Sequence, residues 1–209
     1  MPQAKPKATR KTRIQAQNEE IILKAALEVF AAYGFRGSTV DQIASRAGLS
    51  KPNLLYYFRR KEDIYIAVLE HTLDAWLEPL RKLDPEGDPI RELTAYLTSK
   101  IAASRDNPKA SKLFANEILH GATAIGNFLK GPLKELVDAK AAVIQGWINA
   151  GKLTAIDPYH LIFAIWATTQ HYADFDVQIK AIRGDAKEAT GGAREALLTL
   201  LIEGLRPRI

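Results

Sequence analysis

Apolar residues recur along this chain at intervals of three and four and almost nowhere alternate singly, so the pattern predicts helices and no sheet. From Asn18 onward, Ile22, Ala25, Ala26, Val29, Phe30 and Tyr33 share one helical face, and Gly34 suits the left-handed residue that ends such a helix. Ser38 or Thr39 can cap a short second helix with Val40, Ile43, Ala44 and Ala47 inward, broken at Gly48. Ser50 caps a third, with Pro52 in its first turn, where no hydrogen bond is lost, and Leu54, Leu55 and Phe58 as anchors. After RRKED at 59–63 a longer helix carries the stripe Ile64, Val68, Leu69, Leu73, Trp76, Leu77 and Leu80, with Glu62 and Asp63 at the positive end of its dipole. Past a loop holding Pro85, Gly87 and Pro89, further helices are predicted at about 90–105, 109–120, 132–150, 158–178 and 193–204, each bounded by Pro or Gly. The expected architecture is all-α with about nine helices: a three-helix head at 18–60 and a larger helical bundle at 61–209. Residues 1–17 hold few apolar anchors and are expected to form a disordered basic arm.

Charge sharpens this picture. The net charge is +5. Up to Asp63 there are 12 Lys/Arg against 6 Asp/Glu, and beyond it 17 against 18. All the positive excess therefore lies in the head and arm, as expected where one subdomain meets a phosphate backbone. The basic arm residues Lys5, Lys7, Arg10, Lys11 and Arg13 can add phosphate or minor-groove contacts, or simply be solvated.

The chemistry-bearing stretch is GSTVDQIASRAGLSKPNLLYYFRRKE at 37–62. Two short helices joined by a Gly-containing turn, braced by a third, are what a helix-turn-helix requires. The start of its second helix reaches base edges, and the first helix of the pair touches backbone. Lys51 and Asn53 suit guanine or phosphate and adenine edges, and Pro52 offers a surface for a thymine methyl. Ser50 starts that helix, Tyr56 or Tyr57 combines ring packing with a hydroxyl for phosphate, Thr39 brings donors near phosphate, and Lys61 begins the next helix. The tyrosines can equally be core residues.

Phe30, Gly34, Thr39, Ile43, Ala44, Ala47, Gly48, Ser50, Leu54, Tyr56, Phe58, Lys61 and Glu62 stand at a spacing that resembles the TetR family of transcriptional repressors. That resemblance implies a helix-turn-helix regulator, dimeric through its last two helices, whose body responds to a small molecule. In this family the residue after Leu54 is often a phosphate-contacting Tyr; here it is Leu55, which implies that the contact passes to Tyr56 or Tyr57. The segments NLLYYF, SRDNPKASKLF, GWINAGKL and IDPYHLIFAIWATTQHYADF resemble the RutR branch of the family, regulators of pyrimidine utilisation. This narrower resemblance implies uracil or thymine as effector.

The residues of the body permit such chemistry. Trp166, Gln170 and Asp174 recur every fourth position on one helix face, an indole can stack on a flat heterocycle, and Gln offers both a donor and an acceptor. Trp76, Phe114 and Glu117 can close a mostly apolar pocket, although Trp76 and Phe114 fit ordinary core positions equally well. Leu161, Ile162, Ile165, Tyr172, Leu197, Leu198, Leu201 and Ile202 exceed what one face can hide, which is expected of a dimer interface. A two-fold dimer predicts a roughly palindromic double-stranded operator.

Other chemistries find little support. There is no cysteine, hence no disulfide, thiolate metal site or Cys nucleophile. Gly146 to Lys152 imitates a phosphate loop, but Leu153 replaces the hydroxyl that holds Mg²⁺ and the segment ends a helix. His71, His120, His160 and His171 show no metal-ligand spacing. No cofactor and no metal are expected, and no secretory signal or membrane-length apolar run is seen, which suits the cytoplasm. Three alternatives remain open: the same head with a different apolar or heterocyclic effector; a non-specific architectural DNA-binding protein; and a helical enzyme, for which no convergent nucleophile, base or metal set is visible.

Overall fold

The computed structural model describes residues 13–184 and 192–207, and among them every regular element is helical. Lys5, Lys7, Arg10 and Lys11 of the arm, and Gly191, lie outside the described residues. Two compact units meet between Val68 and Leu69, inside the fourth helix instead of at its start.

In the first unit, α1 spans Arg13–Gly37, so residues 13–17 are helical and not part of an arm. Gly34 breaks its regularity at φ 68° and ψ 172°, a backbone conformation open only to glycine. The break turns Phe35 onto Phe30 and Tyr65, with ring centroids 6.2 and 4.9 Å away. Tyr33, expected in the core, is 60% exposed, because Phe35 fills the aromatic cluster in its place. Helix α2 (Val40–Arg46) opens with Thr39, not Ser38. Ser38 turns inward, its hydroxyl donating to the Gly34 carbonyl at 2.6 Å. The turn to α3 (Lys51–Tyr57) is closed by Leu49 N–H on the Ala44 carbonyl at 2.9 Å, with Gly48 left-handed at φ 68°. Ile22, Ala26, Phe30, Ile43, Leu54 and Ile64 form the core that fixes the helix pair.

Helix α4 (Lys61–Arg81) continues into the second unit, where Leu69, Leu73, Trp76, Leu77 and Leu80 are buried. Helices α5 (Pro89–Asp106) and α6 (Pro108–Leu119) follow. A short α7 (Gly126–Phe128) then widens into a π turn at Leu129–Leu133, where Pro132 lacks the N–H an α-turn needs. Helix α8 (Lys134–Asn149) ends at Gly151 (φ 69°), with Lys152 N–H on the Trp147 carbonyl at 3.0 Å, a helix terminus and not a phosphate loop. Trp147 Nε1 donates to the Pro85 carbonyl at 2.9 Å and Lys140 Nζ to that of Leu83 at 3.0 Å, which pins the α4–α5 loop to α8.

The helix expected at 158–178 is two. Helix α9 (Pro158–Asp174) stops at Phe175, and α10 (Asp176–Arg183) starts where the Asp176 carboxylate receives Lys112 and Lys180. The last element is α11 (Ala193–Leu197), which loosens into a π turn at Leu198–Ile202 and tightens at Glu203–Leu205. The apolar surplus assigned to an interface is largely the chain's own core: Leu161, Ile162, Ile165, Leu197 and Ile202 are buried, and Tyr172, Leu198 and Leu201 are half-covered. Among the apolar side chains these last helices leave uncovered are Phe163, Phe175, Val177, Ile182 and Leu200.

Candidate nucleic-acid interface and ligand site

The start of α3 is presented by backbone chemistry. Ser50 is its N-cap, its hydroxyl accepting Asn53 N–H at 3.3 Å, and Lys51, Pro52 and Asn53 all lie exposed in the first turn. Thr39 caps α2 through a reciprocal box: its hydroxyl accepts Gln42 N–H at 3.2 Å, and its own N–H donates to Gln42 Oε1 at 2.8 Å. Lys51 Nζ pairs with Asp41 Oδ2 at 2.8 Å, an exposed ion pair across the two helices. Tyr56 is 74% exposed, its ring edge-on to Tyr57 at 5.3 Å. Tyr57 is half-buried, and its hydroxyl accepts Asn18 Nδ2 at 2.8 Å. The ammonium of Lys61 donates to the carbonyls of Phe35 and Ser38 at 2.7 and 2.8 Å and lies 4.4 Å from the Phe35 ring centroid. Thus Thr39, Ser50, Lys51, Pro52, Asn53 and Tyr56 are outward, whereas Tyr57 and Lys61 tie α1, α3 and α4 together.

In the body, Trp76 stands against Phe114 and beneath the Lys100 ammonium, which feels the Asp174 charge, whereas Trp166 contacts Tyr96 and lines a groove with Leu129, Leu133, Val137 and Phe163. The Trp76 ring meets Phe114 edge to face, with centroids 5.7 Å apart. Trp166 Nε1 donates to the buried Tyr96 hydroxyl at 2.6 Å, and burial pushes the Tyr96 phenol above its usual pKa. Gln170, the next turn of α9, has no hydrogen-bond partner among the described residues. One turn on, Asp174 accepts from Ser111 Oγ; desolvation raises its carboxyl pKa, opposed by Ser111 and by Lys112, His171 and Lys100. Glu117 is buried, but its Oε1 accepts Ala124 N–H at 2.7 Å and so fastens the α6–α7 loop.

Sequence reasoning missed Lys100 and Tyr96. Lys100 is 4% exposed, its ammonium 4.9 Å from the Trp76 ring centroid, and burial holds its pKa down to about 8 against the pull of Asp174. The signal was present: Leu93, Tyr96, Leu97, Lys100 and Ser104 form one helical stripe, so a cation stands at a core position. Among the described residues no three His, Cys, Asp or Glu side chains gather as metal ligands, and no helix is long and apolar enough to cross a membrane.

A capped helix pair with an outward polar start, carried on the basic third of the chain, defines a DNA-binding helix-turn-helix protein. Residues 22–68 match bacterial regulatory proteins of the tetR family, and residues 69–208 match the C-terminal region of YcdC-like protein. The chain belongs to the tetR family of DNA-binding transcriptional regulators and is not an enzyme. It is 46% identical over 202 residues to the HTH-type transcriptional regulator RutR of Escherichia coli K12, covering 95% of each chain. Over 121 residues it is 36% identical to the HTH-type transcriptional repressor NicS of Pseudomonas putida, covering 54% of this chain and 55% of that one. The solved fatty acid degradation regulator FadR from Bacillus halodurans matches with a TM-score of 0.68 at 22% identity, over 96% of this chain and 100% of that one, a likeness of fold alone.

Proposed function

We propose that this protein is a cytoplasmic, dimeric repressor whose operator affinity is set by a pyrimidine such as uracil or thymine. The carrying observation is the exposed first turn of α3, where Lys51, Pro52 and Asn53 stand free of the core. Lys51 and Asn53 read base edges, Pro52 packs on a thymine methyl, and Tyr56, Thr39 and Ser50 reach phosphate. Tyr57 and Lys61 serve the contact by holding the head. The dimer forms through the last helices, where Phe175, Val177, Ile182 and Leu200 need cover, and its symmetry calls for a roughly palindromic site.

The pyrimidine reading is supported by the likeness to RutR, by the Trp76–Phe114 pair beside Lys100, and by Trp166, Gln170 and Asp174, which share one face of α9 and offer a ring, an amide and a carboxylate. The effector acts by binding one conformation of the dimer better than the other. A coupling of about 1–3 kcal/mol changes operator affinity roughly 5- to 150-fold. A second reading, an apolar effector, is favoured by a groove of about 420 Å³ lined mainly by Leu129, Leu133, Val137, Phe163 and Trp166. Selection of bound DNA fragments with and without uracil and thymine tests site, symmetry and effector together. Equal operator affinity with and without saturating pyrimidine removes the pyrimidine reading, and recovery of no preferred sequence removes the operator.

A further inference from the structure

A buried lysine ordinarily has acceptors for its ammonium, because a desolvated charge without hydrogen bonds is costly. Lys100 has none: it donates to no described residue, and its surroundings are the face of Trp76 and the more distant charge of Asp174, whose carboxylate already takes Ser111. One turn further along the same face of α5, the Ser104 hydroxyl is buried without a partner. On α9, which packs along α5, the half-buried Gln170 amide makes no hydrogen bond to a described residue. These groups can donate to an acceptor carried by a ligand.

We infer that Lys100 is the specificity-determining residue of the effector site, its ammonium donating to a carbonyl oxygen of an uncharged planar ring compound bound beside Trp76. The ligand is uncharged because Lys100 and Asp174 already balance one another, so an anion would leave the carboxylate opposed and a cation the ammonium. Trp76 and Phe114, packed edge to face beside the ammonium, give such a ring aromatic neighbours. The inference rests on the effector reading but not on the pyrimidine itself.

The test is calorimetric titration of the full-length wild type and Lys100→Met with uracil, thymine, nicotinamide, benzoate and toluene, together with ligand-free melting curves. The expected result is a neutral carbonyl compound that binds wild type and loses at least about tenfold in Lys100→Met, the effect of removing a charge-assisted hydrogen bond. The ligand-free variant melts at or above the wild-type temperature, because it no longer buries a charge. Uracil binding both proteins equally overturns the role of Lys100 and leaves the pyrimidine reading standing. Lys100-dependent binding of nicotinamide with none of either pyrimidine supports the inference and removes the pyrimidine. Binding of benzoate or toluene alone, binding of nothing, or melting of Lys100→Met several degrees below wild type overturns the inference.

Discussion

Lys61 separates two accounts of a positive charge at the edge of a DNA-binding head: a hand for phosphate, or a brace for the head itself. Replacing it by methionine keeps the aliphatic stem and deletes the ammonium. That ammonium makes two charge-assisted hydrogen bonds, at 2.7 and 2.8 Å, and a contact with the Phe35 ring at 4.4 Å. Hydrogen bonds to charged groups contribute about 1.5–3 kcal/mol each and an exposed cation–π contact about 0.5–1 kcal/mol. One group makes all three and remains half-solvated, so the contributions do not add, and a net loss of about 2 kcal/mol is expected. For a chain of this size that lowers the melting temperature by about 4–8 °C. Circular-dichroism melting at fixed protein concentration reads the first effect, and operator titration over a range of salt reads the second. A brace lowers stability and leaves the salt slope of operator binding unchanged. A phosphate hand leaves melting unchanged and reduces the slope by about 0.9. The latter pattern would refute the bracing argument.

Three further outcomes follow from particular contacts. Asp41→Asn frees Lys51 and removes a carboxylate facing the duplex, so operator affinity rises several-fold at low salt and the gain shrinks as salt is raised; a loss of affinity counts against displacement of this ion pair on binding. Gly34→Ala forces a side chain into φ 68°, ψ 172° and costs about 1–3 kcal/mol, measurable by denaturant titration, although no neighbouring atom obstructs the added carbon. Lys100 holds its proton less tightly in the fold, at about 8, than the ordinary lysine value of 10.5. Between those values the unfolded chain binds the extra proton, so stability rises with pH, and below about 8 the cost of the buried charge is fully present. Denaturation at pH 7.5 and 9.5 therefore brings wild type closer to Lys100→Met at the higher pH; a constant gap would contradict the burial of a charge there.

Most of the head was legible in one dimension because its determinants are local. Apolar periodicity placed Ile22, Ala26, Phe30, Ile43 and Leu54 inward, and Ser50 and Gly48 marked a cap and a turn by their own backbone preferences. The choice between Ser38 and Thr39 was not legible, because either hydroxyl can cap and only the Gly34 carbonyl decided which one turned inward. Tyr33 misled for a related reason: periodicity assumes that the helix continues, and the chain turned at Gly34 to bring Phe35 to the same cluster.

In the body, spacing alone put Trp166, Gln170 and Asp174 on one face, but it could not say what that face meets. That Asp174 meets Ser111, that Trp166 meets Tyr96, and that Glu117 serves a loop are contacts between residues far apart in the chain. The same holds for the apolar surplus of the last helices, of which the fold buried Leu161, Ile165 and Leu197 and left Phe175, Val177 and Leu200 uncovered. The helical periodicity, the Ser50 cap and the charge imbalance between head and body were determined by the sequence itself, since each depends on neighbours within a turn or on a simple count. Which polar groups end without partners, Lys100 above all, was decided only by tertiary structure, because satisfaction of a buried charge depends on every element packed around it.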